Sequence, residues 1–386
     1  MLRSSTARNR VLLLAAASLI VGCGSGATGR SAQSQPDQQA APVAPVASEP
    51  IPAYHARFGR QHPVIAIVGV NSGTELTDYV IPYGILRRAN LGEVIAVATR
   101  PGAMTMRPAL HIQPQATIAD FDARFPDGAD YVVVPAVVQQ NDPALLNWVK
   151  QQAAKGGTLV SICDGALVLA NSGVLDGHRA TAHWATADYR RKHYPQVNWI
   201  DDRRYVADGR IVSSAGISAA IPTSLALVEA IAGRERAAMV AAQVGAPDWS
   251  PAHDSHRFAP KFGRNLQAFA ATQYLNGWLH KSKSIGVAVV PGADEIAVAL
   301  TADAYTRTGR AKAYAIGTSG APILTLHGLA LLPDRTDPKS VERVVALATG
   351  KSAMALDWVL AEIARLYGEQ TAYGVALDFE YPGYHG

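Results

Sequence analysis

Charged residues are scarce in this 386-residue chain. They make up 17% of the sequence, the formal net charge is only +4, and no run of more than three Lys or Arg residues occurs. Nucleic-acid binding proteins cluster basic residues to neutralise phosphates, so this pattern excludes a nucleic-acid footprint. The length and the 48% of hydrophobic residues are sufficient for two domains with large buried cores.

Cysteine is scarcer still, and the two that occur, Cys23 and Cys163, have different surroundings. Cys23 ends an apolar run, residues 11–21, that is preceded by three arginines. This run is too short to span a bilayer as a permanent helix, and its flanks are typical of a signal peptide. The alternatives are a lipoprotein signal with a lipidated Cys23 and an ordinary secretory signal in which Cys23 has no role.

The stretch Ile20-Val21-Gly22-Cys23 resembles a bacterial lipobox, which favours the lipidated form. The resemblance implies a protein anchored to the bacterial cell envelope through Cys23. Gly24 follows in place of Asp, which implies the periplasmic side of the outer membrane. Lipidation would leave Cys163 as the only thiol of the folded part. A disulfide within the monomer would then be excluded, but the Cys163 thiol would remain open to oxidation.

Apolar strands and helices alternate after a Gly-, Ser-, Gln-, Ala- and Pro-rich tether over residues 24–60. Helices are predicted at 75–89 and 143–154. Alternation of this kind predicts an α/β fold in which a parallel sheet has helices on both faces. Sites in such sheets form at the carboxyl ends of the strands. The predicted strands are Val64–Val70, Glu93–Ala98, Asp130–Pro135 and Thr158–Ile162.

Cys163 lies between the last of these strands and an apolar helix. Gly165 and Ala166 permit a tight turn, which predicts a sharp strand-to-helix elbow with Cys163 at its apex. A helix N-terminus directed at the sulfur would favour thiolate over thiol and predicts a nucleophile. The alternative is a buried structural cysteine, and the turn alone leaves both open.

Several stretches across residues 63–245 resemble the ThiJ/PfpI family of the class I glutamine amidotransferase-like superfamily. The resemblance is nearest to the isonitrile hydratase group and to the amidase-like domains fused to AraC-type regulators. It implies a flavodoxin-like parallel sheet with a cysteine nucleophile elbow. No helix-turn-helix follows the domain, so we reject a transcription factor. The matching stretches are Asp78–Pro82, Leu86–Ala89, Cys163–Ala166, Gly173–Gly177, Ala180–Trp184 and Asp208–Gly216.

The resemblance assigns catalytic roles to Cys163, Asp78 and His183. Cys163 is the nucleophile, and Asp78, four residues before Pro82, is the carboxylate that hydrogen-bonds its sulfur; Glu75 is the fallback if the helix register differs. His183 has the family's spacing from Cys163 and would accept or relay the thiol proton. Alternatively, Asp78 is a carboxylate in the first turn of a helix that stabilises the helix dipole, and His183 is a structural histidine.

The sequence departs from the family at two places near the nucleophile. The residue after it is Asp164, whose backbone amide would point at a developing oxyanion but whose charge would raise the pKa of the thiol unless it faces away. Pro135-Ala136-Val137 replaces the family's Pro-Gly-Gly. The amides of Ala136 and Val137 survive for an oxyanion pocket, but their side chains narrow it.

No metal or other cofactor is expected. His253, Asp254 and His256 are close in sequence, but histidines in a Pro-rich loop are usually solvated, so we predict no metal site there. The predicted partners are a small-molecule substrate and a membrane, reached through the lipid anchor at Cys23.

The second half repeats features of the first. Residues 285–295 repeat the strand-then-acid opening at 64–75, and Gly368 and Ala372 match Gly233 and Ala237 at a constant offset, without a second nucleophile elbow. We expect a shortened, catalytically empty copy that packs on the first as an internal pseudo-dimer. The alternatives are a separate α/β lid, a domain that only stabilises the first copy, and a homodimer of the whole chain. The predicted segments are a lipoprotein signal peptide (1–23), a disordered tether (24–60), a ThiJ/PfpI-like domain (61–245), a connector (246–284) and the degenerate copy (285–386).

Two functional hypotheses follow from these features. One is a cysteine-dependent hydrolase, hydratase or glyoxalase-like enzyme that acts on a small molecule through Cys163. The other is a non-catalytic module that binds a ligand or senses oxidants through Cys163. The first predicts an activated nucleophile, whereas the departures at Asp164 and at Ala136–Val137 favour the second.

Overall fold

The computed structural model describes residues 49–384. The predicted signal peptide, the lipidation site Cys23 and most of the predicted tether lie outside the described residues. Within the described part of the chain, no helix is both long and apolar enough to cross a membrane.

The first half alternates strands and helices, as the hydrophobic pattern predicts. Its elements are β1 (Val64–Gly69), β2 (Ser72–Glu75), α1 (Leu76–Ala89), β3 (Glu93–Ala98), β4 (Met104–Arg107), β5 (His111–Gln113), β6 (Ala116–Thr117), α2 (Ile118–Arg124), β7 (Tyr131–Val134), α3 (Pro143–Ala154), β8 (Thr158–Ser161), α4 (Gly165–Asn171), β9 (Arg179–Ala180), α5 (Ala187–His193), β10 (Asn198–Trp199), β11 (Tyr205–Asp208), β12 (Ile211–Ser214), α6 (Ala220–Ala232) and α7 (Arg234–Val244).

A seven-stranded sheet with the order β11-β12-β8-β7-β1-β3-β6 forms the centre of this half. All neighbours in it are parallel except the β11–β12 hairpin. Both faces of β1 are buried: Ile65 and Ile67 join one apolar cluster, and Ala66 and Val68 join the other. Burial on both faces explains the unbroken apolar run of this strand. The predicted α/β fold with a parallel sheet is confirmed.

Local signals set the start of α3. Asp142 is its N-cap, and its carboxylate accepts the amides of Ala144 and Leu145 at 3.0 Å, while Pro143 occupies the first turn. An N-cap acid followed by proline is a strong helix start, because it satisfies two free amides and needs no donor at Pro143. The predicted helix 143–154 is present with these bounds.

The second half contains a smaller parallel sheet in the order β14-β13-β17 and a set of helices. The two helices that follow residue 263 are joined by a π-helical turn, Ala271–Leu275. The elements are α8 (Arg264–Ala270), α9 (Asn276–Leu279), β13 (Lys283–Ala288), α10 (Glu295–Arg307), β14 (Ala311–Ile316), β15 (Ile323–Leu324), β16 (Ala330–Leu332), β17 (Arg343–Val345), α11 (Ala355–Tyr367) and α12 (Glu369–Asp378).

The two halves share a core. A five-stranded sheet, β15-β16-β5-β4-β2, crosses between them, with Leu331 of β16 antiparallel to Ile112 of β5. Helix α10 packs against α1, and Ile65 and Ile285 belong to one buried apolar cluster. This packing brings residues of the second half to the carboxyl ends of the strands in the first half.

Candidate active site

Cys163 sits at the apex of the predicted elbow between β8 and α4. Its backbone has φ +55°, a left-handed conformation that is unfavourable for a residue with a side chain. The Ser214 hydroxyl, which lies on the adjacent strand β12, accepts a hydrogen bond from the Cys163 amide at 3.1 Å. A Cβ on Gly165 would lie 2.0 Å from the carbonyl oxygen of Val134, so only glycine fits after the turn. The elbow is therefore held by both neighbouring strands.

The sulfur is almost enclosed, because Cys163 is only 6% exposed. The backbone amide of Asp164 donates a hydrogen bond to it, as expected for the start of a helix. Burial nevertheless raises the pKa of the Cys163 thiol well above its usual value, and the carboxyl groups of Asp78 and Asp164 add to this shift. The helix N-terminus favours the thiolate, as the sequence predicts, but burial and the neighbouring carboxyl groups outweigh this effect.

Asp78 lies on α1 and is fully buried beside this cysteine. Its Oδ2 accepts the amide of Ala136 at 3.1 Å, and its Oδ1 has no partner in the described part of the chain. Burial raises the pKa of Asp78 well above its usual value, and the neighbouring Glu75 adds to the shift. Burial thus favours the protonated form of Asp78, whose Oδ1 is the oxygen without a hydrogen-bond partner.

The Pro135-Ala136-Val137 turn is used differently from the prediction. The Ala136 amide is occupied by Asp78, and the Ala136 carbonyl accepts the amide of Glu75 at 2.9 Å. Val137 forms an antiparallel bridge with Thr74. Of the predicted oxyanion amides, that of Asp164 is the one directed at the sulfur.

Glu75, the fallback acid, belongs to a buried ion cluster. Its partner is Arg307 of α10, whose guanidinium also donates to Asp303 and Asp378 at 2.5 Å each. Burial raises the pKa of Glu75 to about 8, although Arg307 opposes the shift. One arginine among three carboxylates leaves excess negative charge, so the cluster retains protons near neutral pH. Sequence reasoning missed Arg307, because nothing local marks a contact across 232 positions.

Both ring nitrogens of His183 are occupied. Its Nδ1 accepts the amide of Ala185 at 3.1 Å, so the proton is assigned to Nε2, which donates to the carbonyl oxygen of Asp378 at 2.9 Å. His183 therefore links the first half to the end of α12. To take the thiol proton, as the resemblance implies, it would first have to release one of these bonds.

The Asp164 side chain is directed toward the segment that follows His183. Its Oδ1 accepts the Thr186 hydroxyl at 2.7 Å, and the buried Arg190 donates to the His183 carbonyl at 2.6 Å. Burial raises the pKa of Asp164. The carboxyl group is thus held in a network, but it remains close enough to the sulfur to disfavour the thiolate.

Glu380, just after α12, is a buried residue of this region that the sequence did not reveal. It has φ +54°, and its Oε2 accepts the amide of Gly216. Its Oε1 lies 3.5 Å from Nε2 of His253, whereas His256 lies 3.8 Å from Asp202. The predicted loop histidines therefore have separate surroundings. Within residues 49–384, no group of three or more His, Cys, Asp or Glu residues is arranged to hold a metal ion.

A parallel sheet with helices on both faces defines a flavodoxin-like domain. A cysteine with positive φ at the turn between a strand and a helix defines a nucleophile elbow in that domain. Residues 64–230 match the DJ-1/PfpI family, and this part of the chain belongs to it. The predicted ThiJ/PfpI resemblance is confirmed.

Curated relatives include a hydratase, DJ-1 proteins and regulators. Isonitrile hydratase of Pseudomonas putida is 29% identical over 189 residues, 45% of this chain and 79% of that protein. Protein dj-1beta of Drosophila melanogaster is 26% identical over 181 residues, 46% of this chain and 94% of that protein. The HTH-type transcriptional regulator CdhR of Pseudomonas aeruginosa is 35% identical over 123 residues, but the match spans only 31% of this chain and 36% of the regulator.

Solved structures match about half of the chain. The C103A mutant of the DJ-1 superfamily protein STM1931 from Salmonella typhimurium has a TM-score of 0.43 and 23% identity, covering 48% of this chain and 100% of that one. Drosophila melanogaster DJ-1beta has a TM-score of 0.42 and 25% identity, covering 47% of this chain and 96% of that one.

Proposed function

We propose that this protein is a cysteine-dependent enzyme that acts on a small molecule through Cys163. The observation that carries the proposal is the pairing of a cysteine held at φ +55° with a buried acid, Asp78, whose Oδ1 has no other partner. A strained turn and an unpartnered buried polar atom both cost stability and are typical of functional sites. The low exposure of Cys163 supports a small substrate over a polypeptide.

The raised thiol pKa supports a mechanism in which Cys163 loses its proton as it attacks the substrate, in place of one that begins from a preformed thiolate. The Cys163 sulfur forms a bond to an electrophilic carbon of the substrate, and the π electron pair of that carbon moves to its heteroatom. The heteroatom takes the proton from Asp78 Oδ1, and the thiol proton replaces it on Asp78. The Asp164 amide, already directed at the reacting region, stabilises the developing negative charge.

This addition begins several reactions. With an amide, the C–N bond of the adduct breaks, the hydroxyl proton of the adduct passes through Asp78 to the leaving amine, and water hydrolyses the resulting thioester to the acid and the free thiol. With an isonitrile, the terminal carbon takes both the sulfur and the proton, and water hydrolyses the resulting thioimidate to a formamide and the free thiol. Addition to an aldehyde would begin glyoxalase-like chemistry. The similarity to an isonitrile hydratase supports including isonitriles among the substrates tested.

A screen of small isonitriles, amides and aldehydes with three variants tests the proposal. We expect Cys163→Ser to abolish turnover. Asp78→Asn, which keeps the shape but loses the transferable proton, should lower kcat about 100-fold or more. His183→Gln should have a smaller effect, because both nitrogens of His183 already make structural bonds. Turnover that survives Cys163→Ser would refute the proposal.

Non-catalytic ligand binding or oxidant sensing through Cys163 is the second candidate. The occupied Ala136 amide and the occupied His183 nitrogens favour it, because both groups are then structural. The raised thiol pKa argues against rapid oxidant sensing, which needs a thiolate. Calorimetry that detects binding of a screened compound, without any turnover, would support this candidate.

We further propose that Cys23 is lipidated and anchors the protein to the cell envelope, on the periplasmic side of the outer membrane. The support is the apolar run that ends at Gly22-Cys23. In a Gram-negative host, the full chain should incorporate labelled palmitate and fractionate with the outer membrane, and Cys23→Ser should do neither. Labelling that survives Cys23→Ser would contradict the proposal.

We also infer that residues 285–386 act as a shortened family copy and form an internal pseudo-dimer with the first half. The support is the packing of α10 on α1 and the sheet that joins β16 to β5. Members of the family are often dimeric, whereas here the contact lies within one chain. Sedimentation velocity should therefore show a monomer for residues 46–386. A dimer would favour the homodimer alternative.

A further inference from the structure

An apolar face projects from the helical segment Arg264–Leu279 and is left uncovered by the rest of residues 49–384. Its four large side chains are Tyr274, Leu275, Trp278 and Leu279, which are 61%, 46%, 77% and 70% exposed. We call these four residues the outer face. Single exposed apolar residues are common, but four in one short segment mark an interaction site.

The segment is attached to the protein through small and polar residues. Ala268, Thr272 and Asn276 are its buried positions, spaced one turn apart. Asn276 Nδ2 donates to the Thr308 carbonyl at 2.7 Å and to the Thr371 hydroxyl at 3.2 Å. The large apolar side chains are thus on the solvent side, the reverse of an ordinary amphipathic helix. The fold does not use them for its own core.

Positively charged residues flank the outer face in the sequence. The sequence between Asp254 and Asp294 contains no Asp or Glu, and the exposed residues Lys261, Lys281 and Lys283 flank the segment on both sides. A tryptophan and leucines bordered by lysines are typical of helices that lie in the plane of a membrane surface. Anionic headgroups attract such lysines.

We propose that the outer face docks on an anionic phospholipid surface, with Trp278 and Leu279 entering the headgroup region. The flanking charge argues for lipid over a second copy of this chain. A two-fold contact through the outer face would bring the lysines of two copies together, and like charges at an interface are repulsive. The docking is independent of lipidation at Cys23.

Vesicle binding by residues 46–386 tests the proposal. This fragment forms one compact unit with its own core, and it lacks the apolar run 11–21 and Cys23, which would bind lipid by themselves. We expect it to sediment with vesicles of phosphatidylglycerol and phosphatidylethanolamine but not with pure phosphatidylcholine. The double variant Trp278→Ser/Leu279→Ser should weaken the partitioning about tenfold or more.

Two further variants separate apolar insertion from general stickiness. Met239→Ser removes an apolar side chain of α7 that is 50% exposed and should leave binding unchanged. Lys281→Glu/Lys283→Glu should weaken binding to anionic vesicles, and 0.5 M salt should have the same effect on the unmodified fragment. Circular dichroism checks that each variant is folded.

Three results would overturn the proposal. One is the absence of binding to anionic vesicles, and another is binding that the outer-face double variant leaves intact. The third is a dimer in sedimentation velocity that the same double variant abolishes, because a second copy would then be the occupant.

Discussion

Removing the charge of Arg307 should destabilise the protein in a pH-dependent way. Arg307 is buried on α10, and its guanidinium bonds Glu75 of the first half together with Asp303 and Asp378 of the second. Arg307→Met keeps the aliphatic stem but leaves these carboxyl groups without their buried cation. Arg107, the other cation near Glu75, is 3.6 Å from it and has a side chain that is more than half exposed.

Breaking a buried ion pair by removing one partner costs about 3–5 kcal/mol, because an uncompensated charge stays in the interior. We expect a loss of that size in the free energy of unfolding at pH 8. At pH 5 the loss should be smaller. Without Arg307 the pKa values of Glu75 and Asp303 are raised further, so both groups are protonated in acid and need no cation.

Urea unfolding followed by tryptophan fluorescence at pH 5 and pH 8 measures both values, with an unchanged m-value as the sign of an intact fold. Arg365→Gln is the matched control: its partner Glu362 is on the same helix, the pair is exposed, and no measurable loss is expected. The reasoning is refuted if Arg307→Met costs less than about 1 kcal/mol at pH 8 or costs the same at both pH values.

Three further predictions concern the same region. The pKa of Glu75 is about 8 in the folded protein and 4.5 ordinarily, so between these pH values the folded state binds a proton that the unfolded state does not. The free energy of unfolding should therefore fall as the pH rises across this range. Glu75→Gln should flatten this fall, as measured by urea unfolding at several pH values. Gly165→Ala should lower stability by about 2–4 kcal/mol in thermal melts, since its Cβ would meet the Val134 carbonyl; an unchanged Tm would contradict this. Ser214→Ala leaves the Cys163 amide unpaired and should cost about 1–3 kcal/mol in urea unfolding, whereas a neutral effect would mean that the elbow does not need this bond.

Local patterns explain why the elbow could be predicted from sequence. An apolar run, a cysteine and two small residues specify a strand, a tight turn and a helix within a few positions, and the structure has Cys163 at that turn. The N-cap Asp142 and Pro143 likewise mark the start of α3 without any distant contact. In each case the residues that determine the element lie inside it.

The ionisation state of the site could not be predicted in this way, because contacts between distant residues determine it. The amide at the start of helix α4 favours a thiolate at Cys163, but burial of the sulfur and the carboxyl groups of Asp78 and Asp164 oppose it. Arg307 and the carbonyl of Asp378 come from the second half, so they fix Glu75 and His183 only once both halves are packed together. Burial and the neighbouring Glu75 raise the pKa of Asp78, the group proposed to donate a proton. A chemistry that uses a neutral thiol and a neutral acid together therefore fits this site better than one that stores a thiolate.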